Sequence, residues 1–459
     1  MTHPEQYDLL VLGSGAPGKL LAWTIASQGK RAAVVERRYI GGSCPNVSCL
    51  PSKNLIHSAK TADVFRHGGA FGIVDRGWKV DMAAVRNRKR KMVDELIEVH
   101  LEKYRESGAE LVMGEGRFIA PKTLEVALNA GGSRTLHGDV VVIDTGSRAR
   151  RDDTPGLVES KPLTHVEALD LDLVPEHLIV LGGGYVGVEL AQTFRRFGSR
   201  VTVVERNKSL IHREDPDVTE EIERLLLDEG IDVQTGTSVR RVEGTSGRSV
   251  RLETDRGAIE GTHVLVAEGR TPNTDGIGLE KAGVETDGRG HIKVDERLRT
   301  TAEGVWAVGD CAGSPNFTHI AEDDFRVVLV NLTGGDRVTT GRQVPYCLFT
   351  DPEVAHIGLG EREARERGVE YRLAKIPMTA VLRARTLSET RGFFKALIEK
   401  DGDRILGFTA FGPEAGEVLA VVQVAMLAGL PYTALRDAVL THPTMAEGLA
   451  ALFSSVPPR

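Results

Sequence analysis

A glycine-rich turn set between a buried strand and a helix occurs twice in this chain, and the duplication restricts the fold more than any other feature. Residues 7–12 (YDLLVL) form an apolar run short enough for a buried strand. Gly13, Ser14, Gly15, Ala16, Pro17 and Gly18 follow, then a helical pattern over 20–28. A second apolar run, 32–35, ends at Glu36. In such a βαβ unit the first glycine allows the turn and the second lets the backbone approach a pyrophosphate. The third permits close helix packing, and the terminal carboxylate accepts ribose hydroxyls. The device recurs as strand 178–181, the loop Gly182, Gly183, Gly184, Tyr185, Val186 and Gly187, helix 189–197, and strand 201–204 ending at Glu205. In both copies the acidic residue lies about twenty positions beyond the first glycine, as the fingerprint requires. Two complete copies imply two bound dinucleotides and an α/β chain with two Rossmann-like domains.

A chain of 459 residues exceeds what one hydrophobic core serves, so further domains are expected. Its 51 glycines against 19 prolines fit tight turns and close ligand approach. With 58 basic and 65 acidic residues the net charge is −7, which disfavours nucleic acid as a partner. The run Arg86 to Lys91 (RNRKRK) lies in a helical pattern that continues to Leu101, and reads as a solvated helix face. The N-terminus carries Glu5 and Asp8 and lacks the layout of a secretory signal. No run approaches the ~20 apolar residues of a membrane span. Four cysteines are too few for a disulfide scaffold, so a reducing, cytoplasmic setting is expected, in which paired cysteines are catalytic.

Between the two fingerprints lie a helical excursion (53–107), β-rich sequence, and a strand 140–143 ending in Asp144, Thr145, Gly146 and Ser147. After the second come Glu268, Gly269, Arg270, Thr271, Pro272 and Asn273. A strand then ends at Gly309 and Asp310, where the carboxylate suits either a ligand's polyol hydroxyls or an Asx turn. From about Val344 the pattern changes to strands 346–349, 394–398 and 405–411 and helices 415–428 and 432–439, a separate α+β domain.

Cys44 and Cys49 stand in the segment GGSCPNVSCLPSK, directly after the first βαβ unit. In a regular helix, residues five apart have Cα atoms roughly 8–9 Å apart, beyond the ~7 Å that a disulfide tolerates. A bridge therefore demands a distorted backbone, and Pro45 and Pro51 argue against one regular helix. A helix starting near Cys49 would aim free N–H groups at its sulfur. Lys53 adds positive charge one turn on, and both favour thiolate, the nucleophile of disulfide exchange. Zinc is disfavoured, since no second cysteine pair lies at ligand spacing. Cys311 and Cys347 stand alone and read as structural.

These segments resemble the class I pyridine nucleotide-disulfide oxidoreductases, which include dihydrolipoamide dehydrogenase, glutathione reductase and mercuric reductase. The resemblance covers nearly the whole chain. The family pattern GGTCxNxGCxPSK is met here with Ser43 in place of threonine and Ser48 in place of glycine. The resemblance implies an FAD-binding domain over 1–150 and 273–340, an NAD(P)-binding domain over 151–272, and a dimerisation domain over 341–459. Gly13, Gly15, Gly18, Glu36, Gly42, Ser43, Lys53, Thr145, Gly146 and Asp310 would then bind FAD. Gly182, Gly184, Tyr185, Gly187, Glu205 and Gly269 would bind the nicotinamide nucleotide, with Tyr185 covering the flavin. Lys53 and Glu189 would pair beside it. Glu205 favours NADH over NADPH by repelling a 2′-phosphate, while Arg206, Lys208 and Arg213 offer a phosphate some accommodation.

His442 to Glu447 (HPTMAE) matches the family's HPTxxE motif. By resemblance His442, oriented by Glu447, is the acid–base for thiol exchange. It reaches the disulfide of the other subunit and precedes a cis proline bond, so a homodimer with shared sites follows. Electrons would pass from nicotinamide through flavin to the Cys44–Cys49 couple and on to a small disulfide, or in reverse from a dithiol such as dihydrolipoamide. A mercuric-reductase-like reduction of a thiol-bound metal ion is the alternative, supported by local wording at Arg213–Pro216 and Thr444–Leu449. It is opposed by the retained His442, by an ending (Ser454 to Arg459) without a cysteine pair, and by the lack of an N-terminal metal-binding domain. An FAD-binding redox sensor that turns over no small substrate is the reading from another class.

Overall fold

The structure, a computed structural model, describes residues 3–74 and 77–459. Its first sheet is built on the strand Glu5–Leu12, entirely buried over its last four residues, which pairs in parallel with Ala32–Glu36 and with Ser133–Ile143. Ala32–Glu36 pairs on with Glu110–Ala120, and the antiparallel strand Thr123–Leu128 links that strand to Ser133–Ile143. Val305–Ala307, arriving from beyond the second fingerprint, completes the sheet beside Ser133–Ile143. Buried Val, Leu and Ile on both faces of the parallel strands are what a sheet covered on both sides requires.

The second fingerprint generates its own parallel sheet, in the order His263–Val266, His177–Leu181, Arg200–Glu205, Asp232–Thr235. The helices Tyr185–Phe197 and Pro216–Asp228 help bury it. Both fingerprint helices begin about a turn earlier than the pattern places them, inside the glycine loops, Ala16–Ser27 in place of 20–28 and Tyr185–Phe197 in place of 189–197, because the helix starts as soon as the turn glycines have been passed. The C-terminal part holds a five-stranded antiparallel sheet backed by the helices Ala415–Leu427 and Gly448–Ser454. Two of its strands, Glu353–Gly358 and Tyr371–Pro377, have no counterpart in the pattern reading. The first carries Glu353 and His356 inside the sheet, where His356 Nδ1 meets Thr409 Oγ1 at 2.9 Å. The second lies at the sheet edge and alternates in burial, with Arg372, Ala374 and Ile376 inside, so that a buried arginine and an outward Leu373 break the polar–apolar pattern. The last of the expected helices ends at Arg436.

Two expectations need correction. The excursion over 53–107 is two helices, Cys49–Arg66 and Met82–Ser107, because glycines at 68, 69 and 72 close the first and Asp81 opens the second by accepting from Ala84 N at 3.0 Å. The basic run 86–91 is only partly a solvated face. Lys89 is buried and bonds Asp170 at 2.9 Å, Arg90 Nε meets the same carboxylate at 3.0 Å, and Arg86 holds Asp172 at 2.8 Å. The run thus ties the long helix to the loop that follows His165–Ala168.

The second and C-terminal sheets are joined by a buried ion cluster. Lys395 Nζ, fully inaccessible, meets Asp215 at 2.8 Å, Asp217 at 2.8 Å and Glu361 at 3.2 Å. Removing one partner of a buried ion pair leaves charges without compensation. Lys395→Met is therefore expected to lower the unfolding free energy by about 3–5 kcal/mol, read as a fall in urea midpoint. An unchanged midpoint would show that the cluster contributes nothing net.

Candidate functional site

The first fingerprint is closed from below by one carboxylate. At Gly13, where φ is +102°, a Cβ would stand 2.1 Å from Asp144 O, so only glycine fits. Side chains at Gly15 and Gly18 would strike the Asp144 carboxylate at 2.6 and 2.7 Å. Asp144 accepts from Gly18 N at 2.9 Å, and its complete burial pushes its pKa well above the usual carboxylate range. Glu36 accepts from Ser14 N at 3.0 Å, Ser14 Oγ at 2.7 Å, Arg38 N at 2.7 Å and Tyr39 N at 2.9 Å. These bonds fix the carboxylate at the end of its strand, at the rim of a cavity of about 1670 Å³. That volume exceeds the ~300–1,000 Å³ of ordinary ligand pockets, as a site for a dinucleotide must.

The cavity runs from Gly13 and Gly15 past Gly42, Ser43, Cys44, Cys49 and Lys53 to Thr145, Gly146 and Asp310, and ends at Tyr185 and Glu189. Thr145 Oγ1 is buried without a protein partner, the condition of a hydroxyl kept for a ligand. The Asp310 carboxylate bonds Ser147 Oγ and lies 3.5 Å from Arg270 Nε on the cavity wall. Both observations fit an FAD laid along this wall.

The thiols sit at a break in the chain. The helix Ser43–Val47 stops at Ser48, whose φ of −134° and ψ of −106° are not helical, and a new helix, Cys49–Arg66, starts at the next residue. This bend turns both thiols onto the same cavity. The neighbouring Cys44 thiol is the main influence that lowers the Cys49 pKa, helped by the Thr318 hydroxyl, the Lys53 charge and Ser48, against the cost of burial. Cys49 Sγ lies 3.5 Å from Thr318 Oγ1. The neighbouring Cys49 sulfur, burial and the negative charge on Cys49 raise Cys44. Cys49 is thus the thiolate and Cys44 the thiol. Lys53 donates to Glu189 Oε2 at 2.8 Å, and Glu189 Oε1 accepts from Phe349 N at 2.8 Å.

Not every expected residue is gathered here. Gly18 is not part of the cavity lining but packs behind it on Asp144 and Val11. Gly182, Gly184, Gly187, Glu205 and Gly269 also lie outside the lining, along the second sheet, and the helix that follows their loop reaches it at Tyr185 and Glu189. Glu205 accepts from Gly183 N at 2.7 Å and from Asn207 N at 2.7 Å, reproducing the arrangement at Glu36. His442 and Glu447 are also outside it. They pair at 2.9 Å, with His442 exposed and its bond to Pro443 cis. Cys311 is fully buried, with Sγ 3.2 Å from Val308 O. Cys347 proves to line the cavity, where burial and then the carboxylates of Glu353 and Glu189 hold it protonated. Thr318, Asp144 and Tyr346, all on this wall, were not singled out by the sequence. Each acts through a partner more than a hundred residues away in the chain.

The chain belongs to the pyridine nucleotide-disulphide oxidoreductase family. The family's main model matches residues 7–324 and its dimerisation-domain model residues 344–452. The probable pyridine nucleotide-disulfide oxidoreductase RclA of Escherichia coli is 34% identical over 98% of this chain and 100% of its own length. A solved structure described as the Cu(II) complex of the HOCl-induced flavoprotein disulfide reductase RclA superposes with a TM-score of 0.90, covering 98% of this chain and 99% of that one. A mercuric reductase of Streptomyces lividans is 36% identical over 96% of this chain and 94% of its own, and mitochondrial dihydrolipoyl dehydrogenase of Pisum sativum is 34% identical over 97% and 90%. The family is FAD-dependent, with a nicotinamide nucleotide as electron donor. Among the described residues no helix is long and apolar enough to cross a membrane.

Thr318→Val removes one of the donors that hold Cys49 ionised. In reduced protein carrying Cys44→Ser, it is expected to raise the midpoint of Cys49 alkylation by about one pH unit, followed by mass spectrometry across pH. The thiolate should otherwise persist as pH falls through the ordinary thiol range, and vanish only at its own depressed value.

Proposed function

We propose that this protein is a homodimeric, NADH-preferring flavoprotein reductase that delivers electron pairs through the Cys44–Cys49 couple to a small disulfide, by dihydrolipoamide dehydrogenase-like chemistry that runs in either direction. The observation that carries this reading is a pair of thiols placed on one dinucleotide-sized cavity by the break at Ser48, Cys49 beside Thr318 and the Lys53–Glu189 pair, with their acidities driven in opposite directions. A dithiol so divided has one sulfur for the cofactor side and one for the substrate.

Gly13, Gly15, Gly18 and Glu36, Gly42 and Ser43 beside the thiol helices, and Thr145, Gly146 and Asp310 would hold FAD, which would supply a hydride acceptor for the nicotinamide and a two-electron donor for sulfur. Lys53, anchored by Glu189, keeps positive charge beside Cys49. Cys44, once deprotonated, attacks one sulfur of the substrate disulfide. The S–S bond breaks, the departing thiolate takes a proton, and a mixed disulfide remains on Cys44. Cys49 thiolate then attacks Cys44, reforming the internal disulfide and releasing the second sulfur as a thiolate, which takes its proton from solvent. His442 of the partner subunit takes and returns the proton, with Glu447 stabilising its cation. The exposure of His442 outside its own chain's cavity supports that division between subunits.

The nicotinamide nucleotide is bound by Gly182, Gly184, Gly187 and Gly269, with Tyr185 at the cavity. The buried Glu205 carboxylate supports NADH, since a 2′-phosphate there meets like charge. A second reading, reduction of Cu²⁺ or Hg²⁺ at the same thiols, is favoured by the similarity to RclA, solved as a Cu(II) complex, and to mercuric reductases.

Turnover with NADH or NADPH against lipoamide, glutathione disulfide, Cu²⁺ and Hg²⁺ separates these readings. Lipoamide is expected to support the highest rate. Cys44→Ser should lower that rate by at least about a thousandfold while flavin reduction by NADH survives, because the nucleophile is lost and the donor site is not. Full disulfide turnover in Cys44→Ser would contradict the reading, and turnover with metal ions alone would replace the first reading with the second.

A further inference from the structure

Tyr185 begins the second fingerprint helix, and Glu189 lies one turn further along the same face. A nucleotide whose pyrophosphate rests at that helix N-terminus must pass the Tyr185 ring before its nicotinamide reaches the Lys53–Glu189 end of the cavity. The phenol is held. Its hydroxyl donates to Glu214 Oε1, and Tyr346 donates to the same carboxylate, 2.8 and 2.9 Å from its two oxygens. The two rings stack with centroids 5.8 Å apart, and Tyr346 stacks in turn on Phe317 at 5.8 Å. Glu214 is only 7% exposed, and hydrogen bonds to a buried carboxylate are among the stronger ones.

The segment carrying Glu214 is itself pinned at both ends. Ile211 has a φ of +38°, a region that β-branched residues avoid, and its N–H donates to Gly183 O in the fingerprint loop at 2.8 Å. Asp215 accepts from Glu361 N and Arg362 N at 2.9 Å each and meets Lys395 at 2.8 Å, while Arg362 donates to His212 O at 2.7 Å. The carboxylate that holds Tyr185 is therefore fixed largely by residues of the C-terminal domain.

We propose that Glu214 is a positioning residue that latches Tyr185 across the nicotinamide path, with Tyr346 orienting both, so that the latch sets how readily the nucleotide reaches the redox centre. This rests on the reading of the Gly182–Gly187 loop as the nicotinamide nucleotide site. For the ring to move aside, its hydroxyl must leave the carboxylate, and that bond opposes nucleotide entry.

The test is stopped-flow reduction of the FAD-loaded dimer, with NADH varied, in wild type, Glu214→Gln and Tyr185→Phe. Each variant is expected to need roughly tenfold less NADH for half-maximal flavin reduction, the loss of one charged hydrogen bond. Reduction of Glu214→Gln by dithiothreitol, which enters through the disulfide and bypasses the nucleotide, should match wild type. Unchanged or increased NADH requirement in both variants overturns the latch. Tyr185→Ala separates the two levels. If it alters the NADH step when the other variants do not, the path stands and the latch falls. If it too leaves the step unchanged, the nucleotide does not pass residue 185 and both fall.

Discussion

The approach of Cys44 to Cys49 depends on one non-helical residue. A regular helix through this segment would hold the two sulfurs a turn and a half apart. By stopping one helix at Ser48 and starting another at Cys49, the chain folds the thiols onto each other and exposes fresh N–H groups behind the second sulfur. Their interaction lowers one thiol and raises the other. Thr318 favours the ionised form of both sulfurs, while Lys53 adds its charge on the Cys49 side.

The rest of the architecture serves to deliver two dinucleotides to that pair. Each parallel sheet ends in a glycine turn and a carboxylate pinned by backbone N–H groups, Glu36 in one and Glu205 in the other. The first turn opens directly into the cavity that holds the thiols. The second stands off, and its helix meets the cavity at Tyr185, Val186, Glu189 and Leu190. Asp144 and Glu214 are both buried carboxylates that hold a residue of a fingerprint loop from behind, Asp144 through Gly18 N and Glu214 through the Tyr185 hydroxyl. Lys395 and Asp215 then lock the second sheet against the C-terminal one.

The two βαβ units were legible because glycine spacing, continuous apolar strands and a terminal carboxylate are local signals. The break at Ser48 was legible as a need, since two prolines and a five-residue spacing forbid a bridged regular helix. What stayed hidden is non-local. Thr318 contacts Cys49 across 269 residues and Tyr346 contacts Glu214 across 132, and no periodicity marks either. The strand Glu353–Gly358 escaped notice because Glu353 and His356 interrupt its apolar pattern. Both find partners inside the fold, Glu353 at Gly416 N and His356 at Thr409. Lys89, read as solvated, is buried because Asp170 waits for it in another domain.

The ionised sulfur against the flavin is tested most directly by anaerobic two-electron reduction followed by acid titration of the long-wavelength thiolate-to-flavin absorption. The account predicts a band that persists in two-electron-reduced wild type as pH falls below the ordinary thiol range, is present in Cys44→Ser before any reduction, while its flavin is still oxidised, and is absent from Cys49→Ser. A band absent at every pH, or one that depends on Cys44 instead of Cys49, would contradict it.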